Sequence, residues 1–111
     1  MKTSYPTIAL QGIDGLTFVK KEEVSHANAD GNYTEVILSD HRKIRVLRNL
    51  KEVEQLLSSE EFVRTHRSSL INLEHVIRFD SDNNTVLMSN GDSVNLARER
   101  KAEFIDKFTR I

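Results

Sequence analysis

The polar run His66-Arg67-Ser68-Ser69 holds the side chains of this chain that are best suited to recognising another molecule. The guanidinium group of Arg67 can donate two hydrogen bonds in a fork, which fits phosphate oxygens or the O6/N7 edge of guanine. The hydroxyls of Ser68 and Ser69 can contact phosphate, and the ring of His66 can donate or accept a hydrogen bond. An ordinary surface turn that happens to carry an arginine would have the same residues. The run by itself therefore leaves a recognition site and a plain turn both open.

Two further polar groups fall on segments that the sequence predicts to be loops. Asn32 and Tyr33 follow a hairpin signal, and Arg98, Arg100 and Lys101 lie at the junction of the last predicted strand and the last predicted helix. Binding residues are often found on loops that a rigid scaffold holds in place. If all three loops project from one edge of the sheets, they form a row of possible contacts to base edges and phosphates.

The sequence offers little to support an enzyme. Gly12 and Gly15 lack the Lys-Ser/Thr pair that a phosphate-binding loop requires, and no serine lies in a nucleophile-elbow pattern. The chain has no cysteine, and its four histidines are too widely separated for a helical zinc pair. His26 is expected to be a satisfied, partly buried histidine. We therefore predict no catalytic residues, no cofactor and no metal site.

Length and charge describe a single domain of mixed surface character. The chain has 111 residues and a formal net charge of −1, although domains that bind nucleic acid are often basic overall. Its cations are clustered, however, and the largest cluster consists of Arg42, Lys43, Arg45, Arg48 and Lys51. This distribution fits either a molecule with one positive side or a solvated mixed surface. No signal peptide and no apolar run long enough for a membrane span are found, so a cytoplasmic location is expected.

Short apolar runs separated by turn residues predict nine or ten short strands. Tight turns between neighbours favour antiparallel pairing and exclude a parallel sheet built with helical crossovers. Asp30-Gly31-Asn32 is the strongest hairpin signal. The two strands around the polar run are expected to bury Phe62, Leu70 and Leu73. The predicted strands outside that run cover residues 8–10, 16–19, 24–29, 33–38, 43–47, 76–79, 85–88 and 93–96.

The first of two predicted short helices begins after Asn49, a plausible N-cap, with Glu52 in the position of a capping box. Ser58-Ser59 is expected to end this helix. Its apolar stripe, at helical spacing, consists of Leu50, Val53, Leu56 and Leu57.

The second predicted helix runs from Arg98 or Arg100 to Phe108, with Phe104, Ile105 and Phe108 as its apolar face. The predicted fold class is therefore mainly β with two short helices.

The stretch from Phe62 to Leu73 resembles the central signature of the LytTR family of bacterial DNA-binding domains. That signature reads approximately Phe, any residue, Arg, any residue, His-Arg-Ser, aromatic, Leu, Val/Ile, Asn. The resemblance covers roughly residues 8 to 108, because four other segments agree with the family in order and spacing, namely 29–34, 49–54, 86–91 and 94–98.

Three residues depart from the pattern of that family. Ser69 occupies a position that is usually aromatic, and Asn28 one that is usually Glu. Ala97 replaces a common Ser just before Arg98, which removes one possible phosphate contact.

The resemblance implies an elongated stack of small antiparallel sheets whose edge loops enter the major groove of double-stranded DNA in a sequence-specific way. Residues expected to contact bases are Asn32, Tyr33, His66, Arg67 and Arg98. Residues expected to contact phosphates are Lys43, Arg45, Ser68, Ser69, Arg100 and Lys101.

The resemblance also implies partners. Such domains serve as output domains of bacterial transcription regulators in two-component signalling and act with a receiver or sensor domain. They commonly bind direct repeats, so a dimer on DNA is expected. Residues 1–6 would be a tail or the end of an interdomain linker, and residues 7–111 the DNA-binding domain. The competing interpretation is a small β-rich protein-interaction module whose arginines recognise acidic groups on a partner protein, without nucleic-acid binding.

Overall fold

The computed structural model describes residues 7–57 and 60–111. The expected tail, residues 1–6, and the expected helix end at Ser58-Ser59 lie outside the described residues.

The described chain is mostly β, and every strand pair is antiparallel, which confirms the predicted fold class. Two short α-helices, α1 (Leu50–Leu57) and α2 (Lys101–Ile105), accompany the strands. The strands are β1 (Thr7–Gly12), β2 (Gly15–Lys20), β3 (Val24–Asp30), β4 (Tyr33–Leu38), β5 (Lys43–Val46), β6 (Phe62–His66), β7 (Ser69–Asn72), β8 (Val76–Asp80), β9 (Thr85–Met88) and β10 (Ser93–Asn95).

The strands form three sheets that lie in a row. The central sheet has five strands in the order β5-β4-β3-β7-β6, and it is flanked by the β1-β2 pair and by the β10-β9-β8 sheet. The Leu47 amide donates to the Gln11 carbonyl at 2.9 Å, which links the central sheet to β1. The Ala97 amide donates to the Thr65 carbonyl at 2.7 Å, which links β6 to the segment after β10. The result is a wide, thin molecule with extents of 41 × 35 × 24 Å.

Local turn chemistry explains the hairpin between β3 and β4. Asp30 pairs with Tyr33, so only Gly31 and Asn32 form the loop, and Gly31 has a φ of 64°. Two-residue hairpin loops need a positive φ at their first position, where glycine has no Cβ to clash.

Two hydrophobic cores cover the two faces of the central sheet. Leu70 belongs to the core that includes α1 and the β1-β2 pair, whereas Ile71 belongs to the core that includes β9, β10 and α2. Successive side chains of a strand point to opposite faces, so β7 contributes to both cores. Both residues are completely buried. Burial of such a side chain stabilises a fold by about 1.5–3 kcal/mol, so β7 is an anchor for the strands beside it.

The start of α1 agrees with the predicted capping box. The Glu52 amide donates to Asn49 Oδ1 at 2.9 Å, and the Asn49 amide donates to Glu52 Oε1 at 3.1 Å. The predicted apolar stripe is wrong at Leu56, which is 64% exposed, whereas Leu57 is buried. At about 100° per residue, Leu56 lies roughly 60° beyond Val53, outside the arc that contacts the core.

Two other predictions need correction. The second helix ends at Ile105, not Phe108, and a 3₁₀ turn over Arg98–Arg100 precedes it. The Lys107 and Phe108 amides donate to carbonyls three residues back, so the last turn tightens, although Phe108 still packs edge to face on Phe104 at 5.4 Å. Leu73 is only partly buried, because the chain leaves β7 at Asn72 and enters a 3₁₀ turn.

Candidate nucleic-acid interface

Strand register brings the first two predicted loops together. Asn28 of β3 pairs with Ser69 of β7, and the Ala29 amide donates to the Ser68 carbonyl at 2.9 Å. The end of β3 therefore lies directly beside the start of β7. As a consequence, the Gly31-Asn32 hairpin loop and the Arg67-Ser68 turn project from the same edge of the central sheet.

The third loop joins this edge through β6. The register of β6 shifts between Arg64 and His66, and the Thr65 carbonyl at this irregularity accepts the hydrogen bond from Ala97. Arg98 therefore lies beside the end of β6. We call the row formed by Asn32-Tyr33, His66 to Ser69, and Arg98 to Lys101 the loop edge. Four interstrand spacings of about 4.8 Å separate β4 from the Ala97 segment, so the loop edge is roughly 19 Å long.

Arg67 and Arg98 are the cations of the loop edge whose side chains are exposed to solvent, whereas Arg100 and Lys101 are partly buried. Among the described residues, neither guanidinium group forms a hydrogen bond or an ion pair. A guanidinium group carries five donors, so both side chains can bind an acceptor supplied from outside the protein.

The turn that carries Arg67 is closed by hydrogen bonds of its neighbours. The Ser68 amide donates to His66 Nδ1 at 3.2 Å, and the Ser68 hydroxyl lies 2.9 Å from the same nitrogen. A ring nitrogen that accepts from an amide carries no proton, so the neutral His66 ring has its proton on Nε2. Nε2 is then the nitrogen through which His66 can donate.

At the hairpin end of the loop edge, one predicted phosphate contact already has partners. Asn32 is exposed and Tyr33 is 43% exposed. Arg45 forms an ion pair with Asp30, and its guanidinium group lies 5.1 Å from the centre of the Tyr33 ring. Arg45 would have to give up the ion pair before its whole fork could face phosphate.

Ser69 lies below the surface. It is 8% exposed, and its hydroxyl donates to Asn28 Oδ1 at 3.2 Å. Asn28 and Ser69, two of the three positions at which the sequence departs from the family pattern, are thus direct neighbours. Because Ser69 is buried and bonded to Asn28, its hydroxyl is less accessible to a phosphate than predicted. The hydroxyl of Ser68 is the better exposed of the two.

The other predicted phosphate contacts lie in two places. Arg100 and Lys101 are partly buried beside Arg98, with Lys101 Nζ 5.2 Å from the centre of the Phe79 ring. Lys43 is exposed but pairs with Ile37, three residues along β5 from the Val46–Thr34 pair nearest the loop edge. The structure therefore groups Arg100 and Lys101 with the loop edge and places Lys43 farther from it.

One cation near the loop edge was missed by the sequence analysis. Arg110 shares with Arg98 and Lys101 the lining of an open concavity of about 340 Å³. It lies in the irregular segment after α2, where no motif or periodicity singles out one residue. Its charge was the only available signal, and charge is common throughout this chain.

His26, which was predicted to be satisfied and partly buried, is almost completely buried. His26 is 3% exposed, its Nδ1 is hydrogen-bonded to the Ser25 hydroxyl at 2.9 Å, and its Nε2 lies 3.6 Å from Asp92 Oδ2. Burial lowers the pKa of His26 below its ordinary value of 6.5, and the charge of Asp92 opposes this shift. Within residues 7–57 and 60–111, no cluster of His, Asp and Glu has a metal-binding arrangement. No helix in the same ranges is long and apolar enough to cross a bilayer.

Comparison with known proteins identifies the family and the fold. The family model for the LytTr DNA-binding domain matches residues 14–109, which confirms the resemblance seen in the sequence. A solved LytTr DNA-binding domain from Bacillus cereus, described as part of a methyl-accepting/DNA response regulator, superposes with a TM-score of 0.77. The two chains are 24% identical over 93% of this chain and 96% of that one, a likeness that shows a shared fold. No curated protein gave a significant match.

Proposed function

The chain belongs to the family of LytTr DNA-binding domains, and we propose that it binds double-stranded DNA sequence-specifically through the loop edge. The observation that carries this proposal is the alignment of three loops along one sheet edge, with Arg67 and Arg98 exposed and unpaired among the described residues. Specific recognition needs donors that are free to face base edges, and these two side chains supply them.

The position of Arg67 suits a base reader. It lies in the middle of the loop edge, on a two-residue turn closed by the His66–Ser69 pair. The major groove is about 12 Å wide, so a loop edge of roughly 19 Å extends past both sides of one groove when its centre enters. We assign Arg67 to guanine, with His66 Nε2 as a second donor. Asn32, Tyr33 and Arg98 reach bases or nearby backbone on either side.

The cations and the hydroxyl around these readers would position the domain on the DNA backbone. Ser68, Arg100 and Lys101 lie within the loop edge itself, and Lys43 and Arg45 lie on β5. Ser69 is retained as a candidate only if its bond to Asn28 opens on binding. Because the whole chain has a net charge of −1, the attraction to phosphate would depend on this local cluster.

We further propose that the domain is the output part of a bacterial transcription regulator of the two-component type. In this role it would act in the cytoplasm, where the chromosome lies, with a receiver or sensor domain that controls it. Two domains on direct repeats would double the contacts, and a dimer would then form on DNA. Residues 1–6 would belong to the linker or tail before the domain.

The test is selection of duplexes from a random DNA pool with the purified domain at moderate salt. We expect enrichment of a short motif, in particular one that recurs as two direct repeats about one helical turn apart. Circular dichroism of the same sample would establish that the domain is folded. A folded domain that enriches no motif, alone or fused to a dimerising partner, would contradict the proposal and favour the protein-interaction module.

A further inference from the structure

Arg64 lies directly beneath the turn that carries Arg67, and its guanidinium group has three partners. Nη2 donates to the Arg67 carbonyl at 2.6 Å, and Nε donates to the His66 carbonyl at 3.3 Å. Nη1 donates to Glu54 Oε1 at 2.9 Å. The side chain of Arg64 is only 20% exposed, so water competes weakly for these donors.

These two carbonyls control the direction of the Arg67 side chain. The His66 carbonyl belongs to the peptide group before the Cα of Arg67, and the Arg67 carbonyl belongs to the peptide group after it. Because each peptide group is planar, fixing both carbonyls restricts both backbone dihedrals of Arg67. The Cα–Cβ bond of Arg67 then points in one direction, toward the outside of the loop edge.

Glu54 connects Arg64 to a helix that packs on the central sheet. It lies in α1, and α1 packs on the central sheet through Leu50, Val53 and Leu57. Its carboxylate holds one arm of the Arg64 fork, and the rigid plane of the guanidinium group then sets the directions of the other two donors. The contacts form a continuous path from α1 through Glu54 and Arg64 to the turn.

We propose that Arg64 is a positioning residue for DNA recognition, which acts through Arg67 and is itself oriented by Glu54 of α1. This inference rests on the proposed function. It adds that specificity depends on a residue that does not touch DNA. Order in the turn before binding reduces the conformational entropy that Arg67 loses when it contacts a base.

A double-mutant cycle tests the proposal. Arg64→Lys keeps the charge but loses the planar fork, and we expect it to weaken binding to the selected duplex on the order of tenfold. The same change should reduce discrimination at the base pair assigned to Arg67. In an Arg67→Ala background, Arg64→Lys should change affinity less than about twofold, because the residue through which it acts is gone.

A matched control is available at the opposite end of β4. Arg42 is also ion-paired, to Asp40 at 2.9 Å and Glu23 at 3.7 Å, but it lies in the turn between β4 and β5. Arg42→Lys should leave both affinity and discrimination unchanged.

Glu54→Gln should weaken discrimination in the same direction as Arg64→Lys. Equal losses for Arg64→Lys in the presence and absence of Arg67 would overturn the proposal.

A measurement without DNA separates this proposal from the proposed function. Backbone ¹⁵N relaxation should give order parameters of about 0.85 for Arg67 and Ser68 in the wild type, and below about 0.6 in Arg64→Lys. Order parameters at Arg98 should not change. Rigid behaviour of the turn in Arg64→Lys would overturn the positioning role, even if the wild type binds DNA. If no duplex is selected but the turn loosens as expected, the proposed function fails, and with it the role in DNA recognition, whereas the ordering of the turn by Arg64 is established separately.

Discussion

The availability of hydrogen-bond donors separates two arginines of the loop edge from Arg45, which lies on the neighbouring strand β5. Arg67 and Arg98 are exposed and have no partner among the described residues, whereas Arg45 is paired with Asp30. An unpaired guanidinium group can enter a new contact without losing an old one. An arginine that is already paired must exchange one interaction for another, so its net contribution to binding is smaller.

Replacement of Arg67 tests the assignment of base reading. Arg67→Ala should weaken binding to the selected duplex by about 1–3 kcal/mol and relax preference at one base pair. Equilibrium binding to the selected duplex and to single-base variants would measure both effects. Arg67→Lys keeps the charge without the fork, so it should retain nonspecific affinity and lose the preference. Equal weakening on selected and scrambled duplexes would show that Arg67 contacts phosphate only.

His26 predicts a pH dependence of stability. Its pKa is lowered in the folded state by burial, so below pH 6.5 the unfolded chain binds a proton that the folded protein does not. The free energy of unfolding should therefore fall as the pH decreases from 6.5, and this term should be absent above that value. Chemical denaturation of the wild type and of His26→Gln between about pH 5 and 8 would check this. The difference between the two proteins isolates His26, and a difference that does not vary with pH would contradict the prediction.

The contact between Ser69 and Asn28 shows how a departure from a family pattern can be accommodated locally. A large aromatic residue at position 69 would need space at a place where the structure has a short hydroxyl donating to an amide oxygen at 3.2 Å. An amide oxygen accepts this hydrogen bond without adding a charge to a buried site. The two departures are thus in direct contact on two neighbouring strands.

At the scale of elements, α1 has a role beyond packing. Its buried side supports the central sheet, and its Glu54 contacts Arg64 beneath the turn. Any change that loosens α1 should therefore reach the loop edge through Arg64.

The N-cap of α1 provides a test at this scale. Asn49→Ala removes the acceptor for the Glu52 amide and should lower the free energy of unfolding by about 1 kcal/mol. Asn49→Asp keeps an acceptor and should be close to the wild type. Thermal and urea denaturation would measure both. A loss as large for the aspartate variant as for the alanine variant would show that the cap does not account for the effect.

At the scale of the whole molecule, attraction to DNA must come from local groups of cations and not from the net charge. The net charge of −1 provides no general attraction to a polyanion, so affinity depends on where the cations lie. Arg100 and Lys101 extend the loop edge toward Arg110, and Lys43 lies on the same sheet but farther along β5. This arrangement predicts a strong dependence of binding on salt.

The slope of log affinity against log salt measures these contacts. Lys101→Ala and Lys43→Ala should each weaken binding to all duplexes and reduce the magnitude of the slope by about one unit. Lys51→Ala is the matched control, because it removes an equal charge from the exposed side of α1. A slope that is unchanged for Lys43→Ala, with a reduced slope for Lys101→Ala, would limit the DNA footprint to the loop edge.

Local features of this protein can be read directly from its sequence. Gly31 and Asn32 specify a tight hairpin, and Asn49 with Glu52 specifies the start of α1, because these signals act between residues a few positions apart. The run from Phe62 to Leu73 identified the family, which the match over residues 14–109 confirmed. Strand and helix types followed from the same short-range patterns, although the extent of α2 and the exposure of Leu56 did not.

The arrangement of the candidate residues depends instead on contacts between distant segments of the chain. Pairing of β3 with β7 and the bond from Ala97 to Thr65 join segments far apart in the chain, and their register depends on packing of both cores. The same packing buries Ser69, pairs Arg45 with Asp30 and places Arg64 beneath Arg67. A residue type shows which bonds a side chain can make, but its neighbours in space decide which of those bonds are already made.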